Sequence, residues 1–188
     1  GGVAHPAPRV IVANHASYLD GLFLRAALPG PLFFVAKRQL ARHAPLRLFL
    51  QRIGVAFVER EVHRRGLEDL GHIEARAAQG ESLVAFAEGV LADGSGLRDF
   101  RMGPFVVAAR ADLPVMPVAL RGTRRLLRAS ARLPAPASVE VIVGEHVLPE
   151  GRAWQDALLL RQQTRDFIAA HCGEPDLAGS GATLIRNL

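Results

Sequence analysis

Six short apolar runs alternating with helical patterns predict an α/β protein with a mixed, mainly parallel central sheet flanked by helices. Two further observations support this class. The runs are rich in Val, Ile and Phe and bounded by Gly, Pro or polar residues, as expected of strands buried on both faces. The composition, 49% hydrophobic and 22% charged over 188 residues, suffices for one substantial core and matches no disordered or fibrous class.

The first strand is RVIVA, Arg9 to Ala13, followed by a helix over Leu19 to Leu28 for which Ser17 is the expected N-cap. LFFVA, Leu32 to Ala36, is the second strand, and PLRLFLQRIG then places Leu46, Phe49, Leu50 and Ile53 on one stripe of a helix over Leu46 to Ile53. VAFVE, Val55 to Glu59, is the third strand, before a helix over His63 to Gln79. SLVAFA, Ser82 to Ala87, leads into a glycine-bearing loop and a helix over Gly103 to Asp112. VMPVAL, Val115 to Leu120, and VEVIV, Val139 to Val143, complete the strands. Between them Arg121, Arg125, Arg128 and Arg132 fall at helical spacing, a stripe suited to anionic headgroups or to solvent, and LPAPAS, Leu133 to Ser138, reads as a loop. A long amphipathic helix is expected from Trp154 to Ala170.

This organisation gives one domain over residues 1–172 and a C-terminal tail over 173–188 without periodicity, in which Leu177, Leu184 and Ile185 are the residues able to dock. The opening GGVAHPAPRVIVANH has no methionine, charged n-region or signal-like apolar run, so the chain is expected to be a fragment of a longer protein. The apolar stretches Phe23 to Ala36 and Phe105 to Leu120 are broken by Arg25 and Pro29, and by Arg110, Asp112 and Pro114. Neither supplies the roughly 20 clean residues that span a bilayer.

Lys and Arg total 23 against 18 Asp and Glu, and Lys37 is the only lysine. The resulting +5 suits lipid headgroups, phosphates or nucleic acid, or is ordinary surface. Nucleic acid is not expected as a partner: one Trp and one Tyr offer no stacking platform among the basic residues, and no recognised binding module is present. The single cysteine, Cys172, excludes an internal disulfide and falls in a polar tail with no assigned role. His63 and His72 are too far apart for one helical turn, and no metal site is expected.

The chemistry centres on NHASYLD, residues 14–20. His15 follows the first strand directly, at the carboxyl end where open α/β sheets place ligand sites, and Asp20 falls in the first turn of the next helix. If the two touch, the carboxylate fixes the imidazole tautomer and leaves the other nitrogen free to take a proton from a hydroxyl. The residues alone also admit a plainer reading, in which Asp20 caps its own helix and His15 ends a strand. Likewise Arg60, at the end of the third strand and near His15 if those strands are neighbours, suits either a phosphate or an ion pair with Glu59 or Glu61. LVAFAEG ends a strand in Glu88 and Gly89, and Gly89, Gly94 and Gly96 permit a tight loop after it.

In order and spacing, NHASYLD, GVAFVER, FAEGVLADGSGLRDFRMGPF and DLPVMPVAL resemble the motif blocks of the glycerolipid acyltransferase family, the lysophosphatidic acid acyltransferase type, over roughly residues 9 to 145. The resemblance implies the glycerol-3-phosphate acyltransferase-like fold. It implies His15 as general base, Asp20 as its orienting partner, Arg60 as the arginine that binds the acceptor's phosphate, and Glu88 and Gly89 as the Glu-Gly of the third block. Pro117 lies in the fourth block. Lys37 matches a family position near the donor site, with Gln39 where a glutamate is usual, and is equally a solvated strand-end lysine.

The third block departs from the family's Phe-Pro-Glu-Gly-Thr-Arg: here it reads Phe86-Ala87-Glu88-Gly89-Val90-Leu91, without the Pro, Thr and Arg. Arg98 and Arg101, further along the loop, are candidates to supply the lost charge. A phosphodiester acceptor, carrying one negative charge where a monoester carries about two, needs fewer cations.

The function the resemblance implies is transfer of a fatty acyl group from a thioester donor, acyl-CoA or acyl-carrier protein, to a hydroxyl of a lysophospholipid or acyl-glycerol-phosphate, with no permanently bound cofactor. Such an enzyme must meet a membrane surface. The expected location is the cytoplasmic face of a membrane, peripheral or anchored by a segment outside this chain. The rival expectations are an acyltransferase with a non-glycerolipid acceptor and a catalytically degraded lipid-binding module of a larger acyl-activating enzyme. The tail HCGEPDLAGS is similar to the ends of bacterial proteins with that second arrangement.

Overall fold

The computed structural model describes residues 6–37, 55–58, 66–131 and 133–178. Six strands form one sheet: β1 (Val10–Ala13), β2 (Leu32–Lys37), β3 (Val55–Val58), β4 (Ser82–Phe86), β5 (Val115–Arg121) and β6 (Glu140–Val143), in the order β3-β2-β4-β1-β5-β6. All neighbours pair in parallel except β5 and β6, which are antiparallel. The described helices are α1 (Asp20–Ala27), α2 (Gly66–Ala78), α3 (Gly103–Ala111), α4 (Thr123–Leu126) and α5 (Trp154–His171).

The period-two geometry of a strand splits the core into two layers. Val10 and Val12 of β1, Leu83 of β4, Val115 and Ala119 of β5 and Phe33 of β2 face one side, where Ile73 of α2, Phe105 and Ala108 of α3, and Leu160 and Ile168 of α5 cover them. Ile11, Ala13, Val84, Met116, Val118 and Leu120 face the other side with Leu24 of α1 and Leu28 just beyond it. The four residues of β1 are fully buried, which is why its sequence shows no polar alternation.

Five of the helical expectations can be compared. Those for α1, α2, α3 and α5 agree to within a few residues at each end. The arginine stripe is corrected: β5 extends to Arg121, Gly122 turns the chain at φ +83, and α4 is a single short turn, so Arg121, Arg125 and Arg128 share no helix face. The expected helix over Leu46 to Ile53 lies outside the described residues.

The strand order creates a crevice. From β1 the chain crosses to β2, beyond β4; from β4 it crosses to β5, on the far side of β1. The two connections leave the adjacent carboxyl ends of β1 and β4 in opposite directions, the switch point at which open α/β sheets hold ligands. NHASYLD begins at one of these ends and the Glu88-Gly89 loop at the other.

Candidate active site

The residue after β1, Asn14, is buried and continues the ladder with its side chain. Its Nδ2 donates to the Leu120 carbonyl at 2.9 Å and its Oδ1 accepts from the Leu120 N–H at 2.8 Å. An amide side chain offers the same donor and acceptor as a peptide unit, so the start of the His15 loop is tied to β5 as firmly as a further strand residue would be.

Asp20 is completely buried, and one of its oxygens gathers three donors. Oδ2 lies 2.9 Å from His15 Nδ1, 2.7 Å from the Ala16 N–H and 2.8 Å from the Ser17 N–H. The backbone groups can only donate, and an ionised carboxylate can only accept. Nδ1 therefore carries the imidazole hydrogen and Nε2 is the basic nitrogen. Ser17, expected as the N-cap, acts two residues earlier in the turn: Leu19 occupies the cap, and its N–H donates to Ser17 Oγ at 3.1 Å. Asp20 thus shapes the preceding loop as well as the histidine. The plainer reading, that Asp20 caps its own helix, is corrected: its Oδ2 binds the N–H groups of Ala16 and Ser17 ahead of α1, together with the imidazole.

The ring of His15 is also held from the side. Phe86, the last residue of β4, stacks on it with centroids 4.1 Å apart and planes 13° apart. Parallel register sets Ala13 opposite Phe86, so the loops leaving the two strands start level. Two residues further on, Glu88 Oε1 accepts the His15 N–H at 2.9 Å and Glu88 Oε2 accepts the Arg98 N–H at 3.1 Å. Burial raises the Glu88 carboxyl above its ordinary value, opposed by those two backbone donors. His15 keeps 20% of its side chain exposed while its partner Asp20 keeps none, so the imidazole is reachable and the carboxylate is not.

The model of the family described as Acyltransferase matches residues 3–121, from before β1 to the end of β5. The chain belongs to the Acyltransferase family. It is 32% identical over 112 residues to 1-acyl-sn-glycerol-3-phosphate acyltransferase beta of Homo sapiens, covering 59% of this chain and 40% of that one. It is 30% identical over 124 residues to lyso-ornithine lipid O-acyltransferase of Brucella abortus, covering 62% and 46%. The chain therefore spans less than half the length of either relative. Its fold matches the crystal structure of the 1-acyl-sn-glycerophosphate acyltransferase PlsC from Thermotoga maritima, with a TM-score of 0.71 at 20% identity over 89% of this chain and 66% of that one.

Within this member of the Acyltransferase family, the sequence-predicted residues fall into three groups. His15, Asp20 and Glu88 meet at the crevice. Gly89 adopts φ +72 and its N–H donates to the Phe86 carbonyl at 3.0 Å, a tight turn that an L side chain would strain. Arg98 and Arg101 contribute backbone contacts, to Glu88 and to the Ala87 carbonyl respectively, while their side chains are exposed on the loop. The third group is remote in strand order. Lys37 closes β2, two strand spacings from β1, or about 10 Å. Arg60 lies outside the described residues; the strand before it, β3, is not the neighbour of β1 that the sequence argument required, because β2 and β4 stand between.

Asn14 and Phe86 were not singled out as site residues by the sequence. Each is the first residue of a quoted motif, but their work depends on β5 and β4 lying on either side of β1. Cys172 is corrected in the opposite sense: it is buried at the foot of α5, where burial pushes its thiol up, and belongs to the core layer under β1.

Proposed function

We propose that this chain transfers a fatty acyl group from a thioester donor, acyl-CoA or acyl-carrier protein, to the hydroxyl of a lysophospholipid or acyl-glycerol-phosphate. The observation that carries the proposal is the 2.9 Å contact between His15 Nδ1 and the fully buried Asp20, at the carboxyl end of β1. With Nδ1–H fixed, Nε2 takes the proton of the acceptor hydroxyl as its oxygen attacks the thioester carbonyl. The tetrahedral adduct collapses by breaking the C–S bond, and the departing thiolate takes the proton back from the imidazolium, leaving an ester and a thiol. Asp20 stabilises the imidazolium between these steps.

A lipid acceptor fits the surroundings. Tyr18, in the turn before α1, and Leu22, in its first turn, are 48% and 40% exposed, apolar surface close in sequence to His15 and Asp20. No helix among the described residues is long and apolar enough to cross a membrane, so reaching the bilayer falls to such surfaces or to segments beyond them.

A second reading concerns the acceptor. Val90 and Leu91 stand where the family carries Thr-Arg, and one relative is named a lyso-ornithine lipid O-acyltransferase. Both favour an acceptor with less phosphate charge than lysophosphatidic acid. Thioester release measured with lysophosphatidic acid, a lysophosphodiester and lyso-ornithine lipid separates these acceptors. Undiminished acceptor-dependent turnover in His15→Ala would overturn the proposal, and liposome binding without turnover in the unmodified chain would replace it with the lipid-binding module.

A further inference from the structure

The segment after α5 reads as a tail in sequence, yet it makes several long-range polar contacts. Gly173, at φ +71, turns the chain back beside Arg121. Glu174 then uses both oxygens: Oε1 accepts from Arg124 Nε and Oε2 from the Gly96 N–H, each at 2.7 Å. The other arm of Arg124 donates to the Ala92 carbonyl at 2.7 Å and the Asp93 carbonyl at 3.2 Å. Leu97 pairs with the segment through its backbone, its N–H donating to the Pro175 carbonyl at 2.8 Å and its carbonyl accepting the Leu177 N–H at 3.0 Å. Arg165 of α5 holds Asp176 through two bonds of 2.9 and 2.5 Å.

These contacts converge on the loop that starts at Glu88. Gly96 lies at φ +119, and a Cβ there would fall 2.5 Å from the Leu177 side chain, so the loop and the segment fit together only with glycine at this position. One residue beyond Leu97, the Arg98 N–H reaches Glu88, and Glu88 reaches the backbone of His15. Hydrogen bonds from Glu174 and Pro175 thus hold the backbone of Gly96 and Leu97, and the adjoining Arg98 is tied through Glu88 to the backbone of His15.

We propose that residues 174–177 form a strap that positions the loop between Gly89 and Arg101, with Glu174 as a positioning residue for the acceptor side of the site. The proposal rests on the reading of His15 as the base of acyl transfer. A loop carrying Gly89, Gly94 and Gly96 loses much conformational freedom when ordered, and its own residues supply few of the bonds that order it. Glu174 and Arg124 are both 14% exposed, so their charge-assisted contacts are largely shielded from solvent. The matched family model ends at residue 121, so the strap lies beyond it.

The test compares the unmodified chain with Glu174→Ala, Arg124→Ala, the double variant and Glu174→Gln. Acceptor and donor KM, kcat, thermal midpoint and amide hydrogen exchange are measured on each. The expected result is an acceptor KM raised about tenfold in both single alanine variants with donor KM nearly unchanged, since a loop displaced by about 1 Å misplaces the acceptor. Amide exchange at Gly96, Leu97 and Arg98 accelerates while β1 and β5 stay protected, the double variant is no worse than either single one, and Gln, keeping one acceptor oxygen, falls between. Losses that follow the folded fraction and affect both substrates alike would overturn the strap, as would exchange at 96–98 unchanged from the unmodified chain. If the unmodified chain shows no acceptor-dependent turnover, the acyl-transfer reading fails separately, and the exchange result alone decides whether the strap orders the loop.

Discussion

Around His15 the orienting contacts come from three to five residues away in Asp20 and from the two strands that flank β1, whereas the loop after Glu88 is held by Glu174, 78 residues beyond the Gly96 it binds. The first region is buried and over-determined: one carboxylate oxygen takes three donors, a phenyl ring stacks on the imidazole, and an asparagine doubles as a strand residue. The second is glycine-bearing, exposed along much of its length and fixed by a segment that itself looks like a tail. The contrast separates a region held by its own neighbours in the sheet from one held by a distant segment of the chain. If His15 is the base and the loop meets the acceptor, as proposed, the first geometry is fixed locally and the second can be re-set by changing what binds it from outside.

The largest effect should come from the dyad. His15→Ala is expected to lower kcat by about 10²- to 10⁴-fold, the usual contribution of a positioned general base. Asp20→Asn sharpens the comparison. Two backbone N–H donors require the oxygen of the new amide to occupy the Oδ2 position, so the ring keeps its tautomer and loses only the charge that stabilises the imidazolium. The expected loss is about 10²-fold, arising from the missing charge with the orientation kept. If Asp20→Asn were as damaging as His15→Ala, with an unchanged thermal midpoint, charge rather than geometry would dominate the site.

Asn14→Ala addresses the same region through stability. It removes two buried hydrogen bonds and strands the N–H and C=O of Leu120, an expected cost of about 2–4 kcal/mol in chemical denaturation. Glu174→Ala, on the other side of the comparison, should cost less stability and more acceptor affinity. A reversal of that ranking would show that the strap carries the fold and the crevice does not.

The division also explains what was legible in the sequence. His15 and Asp20 are close along the chain, so one strand end and one helix start were enough to suggest contact. The alternation of Val10 and Val12 with Ile11 and Ala13 was not visible, because both faces are covered and every position is apolar. The partners 71 to 106 positions away were hidden for a different reason: Phe86 against His15 and Asn14 against Leu120 depend on β1 lying between β4 and β5. Strand order is decided by the packing of whole helices and sheets, and no local pattern states it. The same gap left open whether the strand before Arg60 neighbours β1; the sheet sets it three spacings away. Glu174 was passed over because it falls in what reads as a tail, and its partner Arg124 lies 50 positions away, outside the stripe of Arg121, Arg125, Arg128 and Arg132.

The smallest expected effect is the response to pH, and here the two regions have opposite signs. Asp176 in the strap is held at about 2, below its ordinary 3.8, chiefly because Arg165 donates to it. A lowered carboxyl contributes stability that is present above 3.8 and is lost as pH falls towards about 2. Glu88 in the crevice is raised above 4.5 by burial, so its contribution is present below 4.5 and is lost as pH rises through the folded value. Acidification from neutrality should therefore first relieve Glu88 and only later release Asp176. Because Asp176 is 46% exposed, the second step should be modest and weaken further in high salt. In urea midpoints measured from neutral pH to about pH 2, Asp176→Asn is expected to flatten the low-pH fall without altering the change above 4.5. An identical low-pH fall in that variant would mean that Arg165 does not hold the strap by charge, leaving the backbone pairing at Leu97 and the Glu174 contacts as its main anchors.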